Sequence, residues 1–163
     1  IKMADVKAAL KAQGMSDYKM MPGDAILFHT GWDQYWIVDN AKYNSGCPGI
    51  GMEVARWIAG GNAGVTGFDT WPGDAVPNED PDCVFCVHQY LQTRHGIINQ
   101  ENLNTSQLVD AGVYEFIDMI TFASRNNIFY AINVGAKIRL FTAPNTRFRC
   151  DMNHHAAISH GSS

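Results

Sequence analysis

Long apolar runs are missing from this sequence. Its hydrophobic stretches are short and interrupted, below the roughly 18–20 residues that a membrane-spanning helix needs, so a soluble protein with no membrane partner is expected. Strong charge is missing too: the formal net charge is −4, which speaks against nucleic acid as the main partner. Residues 119–163 do carry five Lys/Arg against one Asp/Glu, whereas residues 1–118 carry seven against fifteen. The basic segment nevertheless has no dense Lys/Arg run and no aromatic stacking motif. Cysteine is scarce, with four in 163 residues, so a disulfide framework is not expected. Neither an initiator methionine nor a signal-peptide stretch opens the chain. Instead IKMADVKAALKAQGM reads as a helix with Val6, Ala9 and Leu10 on one side. A cytoplasmic setting and a chain entered partway through are the expectations that follow.

What is present suits one globular domain over residues 1–163: 46% hydrophobic and 17% charged residues are enough for a substantial core. PGDAILFHTGW starts with a turn at Pro22-Gly23-Asp24 and runs apolar from Ala25 to Phe28, as a buried strand does. An Asn/Gly/Pro-rich loop leads to GMEVARWIAGG, a helix with Met52, Ala55 and Ile58 at helical spacing and Gly60-Gly61 as its stop. NAGVTGFDTW follows as a second strand ending near Asp69. Strand, helix and strand in that order indicate an α/β domain. Ligands collect at the carboxyl ends of such strands, which makes Asp69, Trp71 and the segment His29 to Trp32 candidates for a pocket. A strand-end aspartate is equally suited to a cap or turn, and Trp32 and Trp71 equally suited to packing.

The stretch NEDPDCVFCVHQYLQTRHG carries helix punctuation: Asp80 as cap, Pro81 at the first helical position and Gly96 past the end. Val84, His88, Leu91 and His95 are spaced four, three and four, so they share a face. Cys83 and Cys86 form a C-x-x-C ahead of His88, a spacing found in zinc and redox sites. Cys47 and Cys150 offer no matching second pair, and inside a helix the two cysteines read as small apolar packing residues.

From His88 to His95 a helix advances about 10 Å at about 1.5 Å per residue. A strand from Ile97 to Glu101 returns about 13 Å at about 3.3 Å per step. Glu101 is therefore expected level with His88. Asn104 then caps a short helix, with Gln107 in the reciprocal position, that ends at Gly112. A His beside a Glu either satisfies a polar core or makes half of a zinc or manganese shell. Spacing leaves both open.

Taken together, PGDAILFHTGW, PGIGMEVARWIAGGNAGVTGFDTW, VHQYLQTRHGIINQENL and DAGVYEF resemble the cyclase family of metal-dependent hydrolases, which includes bacterial kynurenine formamidases and isatin hydrolase. The resemblance spans about Val6 to Phe116. It implies a swivelling β/β/α fold, incomplete at the N-terminal side, and hydrolysis of an amide or cyclic amide by water activated on zinc or manganese. His88 and Glu101 match the family's late metal ligands, with one extra residue between them. Trp32, Trp71 and Asp69 become the candidates for substrate binding. Homo-oligomers are expected from the family.

Two departures accompany the likeness. The family's H-x-G-T-H-x-D-x-P-x-H segment, which supplies the first metal ligands and the acid–base histidine, is not in the sequence, so the catalytic residues are expected upstream of Ile1. After about Asp118 the register with the family is lost, although IFYAINV and KIRLF read as strands, and 119–163 stands as a divergent tail. His154, His155 and His160 in that tail read as part of a mobile terminus rather than as replacement ligands. The Asn104-Thr-Ser glycosylation acceptor has no secretory signal to support it. A non-catalytic remnant or interaction module on the same scaffold is the competing function, and metal content separates the two.

Overall fold

The computed structural model describes residues 1–116 and the strand backbones at 119–123, 129–133 and 138–142; the tail histidines lie outside the described residues. A five-stranded sheet forms the centre, in the order β3-β2-β1-β7-β4. Its strands are β1 (Ala25–His29), β2 (Val65–Phe68), β3 (Ile98–Gln100), β4 (Glu115–Phe116) and β7 (Ile138–Thr142). β2 and β7 both run parallel to β1, and β3 runs parallel to β2, while β4 is antiparallel to β7. Strands β5 (Met119–Ala123) and β6 (Phe129–Asn133) pair with each other as an antiparallel hairpin. The chain is thus α/β, as its pattern indicates.

Alternation along β1 sends Ile26 and Phe28 to one face of the sheet and Ala25 and Leu27 to the other. On the first face they meet α1 (Met3–Ala12), through buried Val6, Ala9 and Leu10, and α3 (Met52–Gly60), through Val54, Ala55, Ile58 and Ala59. Phe28 and Phe68 stack there in adjacent strands at 5.2 Å between centroids. On the second face Ala25, Leu27 and Val65 pack against Leu103, Leu108 and Val109 around α5 (Ser106–Asp110). Helix α3 ends at Gly60, and the left-handed residue that turns the chain is Asn62, at φ 55, rather than either glycine.

The helix carrying His88 departs from its expected bounds. Residues 81–85 form turns and bends, and α4 spans only Cys86–His88 before widening into a π-helical stretch over Gln89–Arg94. Leu91 lies buried below it, but Val84 precedes the helix and is 68% exposed, and His95 is exposed against Tyr90. Cys83 and Cys86 are not separate packing residues: they are joined as a disulfide. The cap of α5 also differs, being Thr105, with Asn104 Oδ1 accepting the Ser106 N–H at 3.3 Å.

Candidate metal centre

Three neighbouring parallel strands deliver their ends to one edge of the sheet: β1 ends at His29, β2 leads into Asp69 and β3 leads into Glu101. His88 reaches this edge from α4. Its Nε2 lies 2.9 Å from Glu101 Oε1, so the helix and its returning strand do meet at the expected level. Asn99 Nδ2 donates to the same oxygen at 2.9 Å, fixing the carboxylate. The backbone flanking Glu101 is pinned as well, since Asn102 N–H donates to the Thr70 carbonyl at 3.0 Å and Leu103 N–H to that of Phe68 at 2.9 Å.

The other nitrogen of His88 meets a residue that the sequence did not single out. Asp74 is fully buried; its Oδ2 lies 2.5 Å from His88 Nδ1, and its Oδ1 accepts the Val87 N–H at 2.8 Å. One carboxylate therefore holds both the ring and the start of its helix. The bond to Asp74 raises the His88 pKa above its ordinary 6.5, outweighing the opposing effect of burial, and Glu101 adds to the rise. Asp74 is itself held by close backbone approach: a side chain on Gly49 would be driven into the Asp74 carbonyl group. The only sequence signal for Asp74 was its place in a Gly-Asp turn after a strand, a signal shared by many caps.

A second cluster stands at the same edge. Donor atoms of His29, Asp33 and Asp69 all lie within 4.8 Å of one another, a grouping that could hold a metal. Each is already engaged by protein. Asp69 Oδ2 accepts the N–H groups of Thr30 at 2.8 Å and Gly31 at 2.7 Å, and its Oδ1 accepts the Thr30 hydroxyl at 2.8 Å. His29 Nδ1 pairs with Thr105 Oγ1 at 2.9 Å, and Asp33 Oδ2 accepts from Ser106 Oγ at 3.1 Å. Asp69 is fully buried, and burial raises its pKa. It works as a staple that closes the turn after β1. A bound substrate would have to displace those three donors.

The two tryptophans part company. Trp32 is 5% exposed, donates its indole N–H to the Tyr43 carbonyl at 3.1 Å and carries the Lys42 ammonium 5.1 Å from its ring centroid. That is packing, which the sequence had left level with substrate binding. Trp71 is half-buried beside Phe85, at 5.9 Å between centroids, and Phe85 in turn edges His88 at 5.7 Å. The Trp71 indole N–H has no hydrogen-bond partner among the described residues. Cys47 is no candidate nucleophile, because burial pushes its thiol up to about 12.

Fold and site together define an α/β protein whose sheet presents histidines and carboxylates at the carboxyl ends of its strands, with donors suited to a divalent metal. Residues 1–75, a little under half of the chain, match the family described as "Putative cyclase". No curated protein and no solved structure matches the chain. The matched residues include His29, Asp33, Asp69 and Asp74 and end before His88 and Glu101. No helix among the described residues is long and apolar enough to cross a membrane.

Proposed function

We propose that the protein is a metal-dependent hydrolase of the cyclase family, with the swivelling β/β/α fold, acting on an amide or cyclic amide of the aryl formamide or isatin type. His88 Nε2 and the Glu101 carboxylate would hold the ion, zinc or manganese. The observation that carries this reading is the Asp74–His88–Glu101 chain. A histidine that binds metal through one nitrogen commonly donates its other N–H to a buried carboxylate, and Asp74 takes that place. With Nδ1–H committed to Asp74, Nε2 would exchange the proton it shares with Glu101 for the ion.

The spacing fits as well. Two donors about 2.1 Å from one ion, at angles of 90–110°, lie about 3.0–3.4 Å apart, and the observed 2.9 Å needs little adjustment. The His29/Asp33/Asp69 group fits less well, because an ion there would compete with the two N–H groups and the hydroxyl that Asp69 already accepts. When bound, the ion supplies a water of lowered pKa and polarises the carbonyl to be attacked.

The chain's own residues do the positioning. Asp74 sets the His88 tautomer, Asn99 orients Glu101, and Trp71 with Phe85 offers an aromatic wall beside the pair. Further donors and the acid–base histidine belong to the H-x-G-T-H-x-D-x-P-x-H segment of the resemblance. The family match over residues 1–75 supports an enzyme of this kind. In the intact protein, with those donors supplied, His88→Ala and Glu101→Ala are each expected to abolish hydrolysis of an aryl formamide while circular dichroism stays native. Unchanged turnover in both would refute the proposal.

A further inference from the structure

The helix that carries His88 begins later than its own sequence asks. Asp80 as cap, Pro81 at the first position, and Val84, His88 and Leu91 on one face describe a helix from Pro81 onward. In the structure α4 begins at Cys86. Two features stand at that discrepancy. Cys83 and Cys86 are joined as a disulfide. Between them Phe85 sits at φ 57, in the left-handed region that a bulky side chain rarely adopts and through which no right-handed helix runs. Val84, which the longer helix would lay on the face of Leu91, is instead 68% exposed.

The same residues adjoin the proposed metal pair. Phe85 is in ring contact with both His88 and Trp71. Val87, one residue after Cys86, and His88 both bond to Asp74. Where the helix starts therefore bears on how the imidazole is held.

We propose that Cys83 and Cys86 form a thiol–disulfide switch that sets the start of the His88 helix and, through Phe85, the setting of the imidazole. Only its consequence for metal binding rests on the function proposed above. Reduction by a dithiol breaks the bond between the two sulfurs. They take up two electrons and two protons, and the dithiol leaves as its own disulfide. Both cysteines are partly exposed, so a reductant reaches them. With the ring open, Phe85 returns to right-handed backbone, residues 81–85 join the helix, and Val84 turns onto the apolar face. This also alters the walls of the cleft of about 450 Å³ that Val76, Pro77, Pro81, Val84 and Phe85 line.

The test begins with the state of the sulfurs. Trypsin leaves Cys83 and Cys86 in one peptide, from Trp57 to Arg94, that holds no other cysteine. That peptide should take two alkyl groups only after reduction. Amide exchange of the native protein then compares the two states: protection at Val84–Cys86 is expected to rise at least tenfold on reduction. In the Cys83→Ser/Cys86→Ser protein it should be high with or without reductant. Alkylation of both cysteines in air-oxidised protein without reductant, or protection that ignores reduction, overturns the proposal. Manganese, a poor partner for thiolates, is the probe for the consequence. A Kd several-fold weaker in the reduced protein carries the switch into the site. Protection that responds while manganese binds neither state upholds the switch and removes the metal reading instead.

Discussion

His88 Nε2 stands 2.9 Å from Glu101 Oε1, across the seam between α4 and β3, with Asp74 closing the far side of the ring. The arrangement is carboxylate, imidazole, carboxylate, and the two acids differ in setting. Asp74 is fully buried and bonded to backbone, whereas Glu101 is at the surface with a side chain 35% exposed. The buried acid positions the ring, and the exposed one is free to share an incoming ion.

Asp74 is accordingly a positioning residue. Asp74→Asn is expected to weaken metal affinity about 10- to 100-fold with little change in the far-ultraviolet circular dichroism spectrum. Its distinctive sign is a His88 pKa that falls back toward 6.5 when followed by NMR. An unchanged His88 titration would show that Asp74 does not hold the ring.

The pH dependence follows from that shift. His88 has a folded pKa raised above its unfolded value of 6.5. Protonated His88 therefore adds stability fully present below 6.5 and lost as pH rises through the folded pKa. In chelator, the urea midpoint of the metal-free protein should fall over that window, and His88→Gln should flatten the fall. Metal affinity should move oppositely, rising with pH until the ring is neutral.

Asp69 predicts stability rather than binding. Asp69→Ala leaves the Thr30 and Gly31 N–H groups and the Thr30 hydroxyl without their acceptor. The expected loss is about 2–4 kcal/mol, read by denaturant unfolding. Asp33→Ala, which removes a contact to Ser106, should leave metal binding intact. If Asp33→Ala abolished binding, the ion would belong to the second cluster.

Gly49 tests how Asp74 is held. Gly49→Ala places a methyl group against the Asp74 backbone and is expected to destabilise the protein by about 1–3 kcal/mol, shifting the His88 and Val87 resonances. A neutral substitution would mean that the loop yields without moving Asp74.

Much of this was legible from local pattern. The apolar run Ala25–Phe28, the spacing of Ala55 and Ile58, and the rise of helix against strand between His88 and Glu101 are properties of consecutive residues, and all three appear in the structure. Non-local facts were hidden. Asp74 lies fourteen positions before His88 and meets it only because Gly49 lets two backbones close together. The insertion of β7 between β1 and β4 depends on pairing across more than a hundred residues. The helix starts at Cys86 and not at Pro81 because a disulfide and a left-handed Phe85 override the capping signals of Asp80 and Pro81. The side on which a strand-end aromatic turns is set by its neighbours, so Trp32 and Trp71 looked alike in the sequence.

The most direct measurement is a manganese titration of the intact protein, with the further donors supplied, and of its His88→Ala and Glu101→Ala variants, followed by electron paramagnetic resonance. The account predicts one bound ion per chain in the native protein and at least a tenfold loss of affinity in each variant, with both still folded. Equal binding by all three would place the ion elsewhere and contradict the assignment of His88 and Glu101.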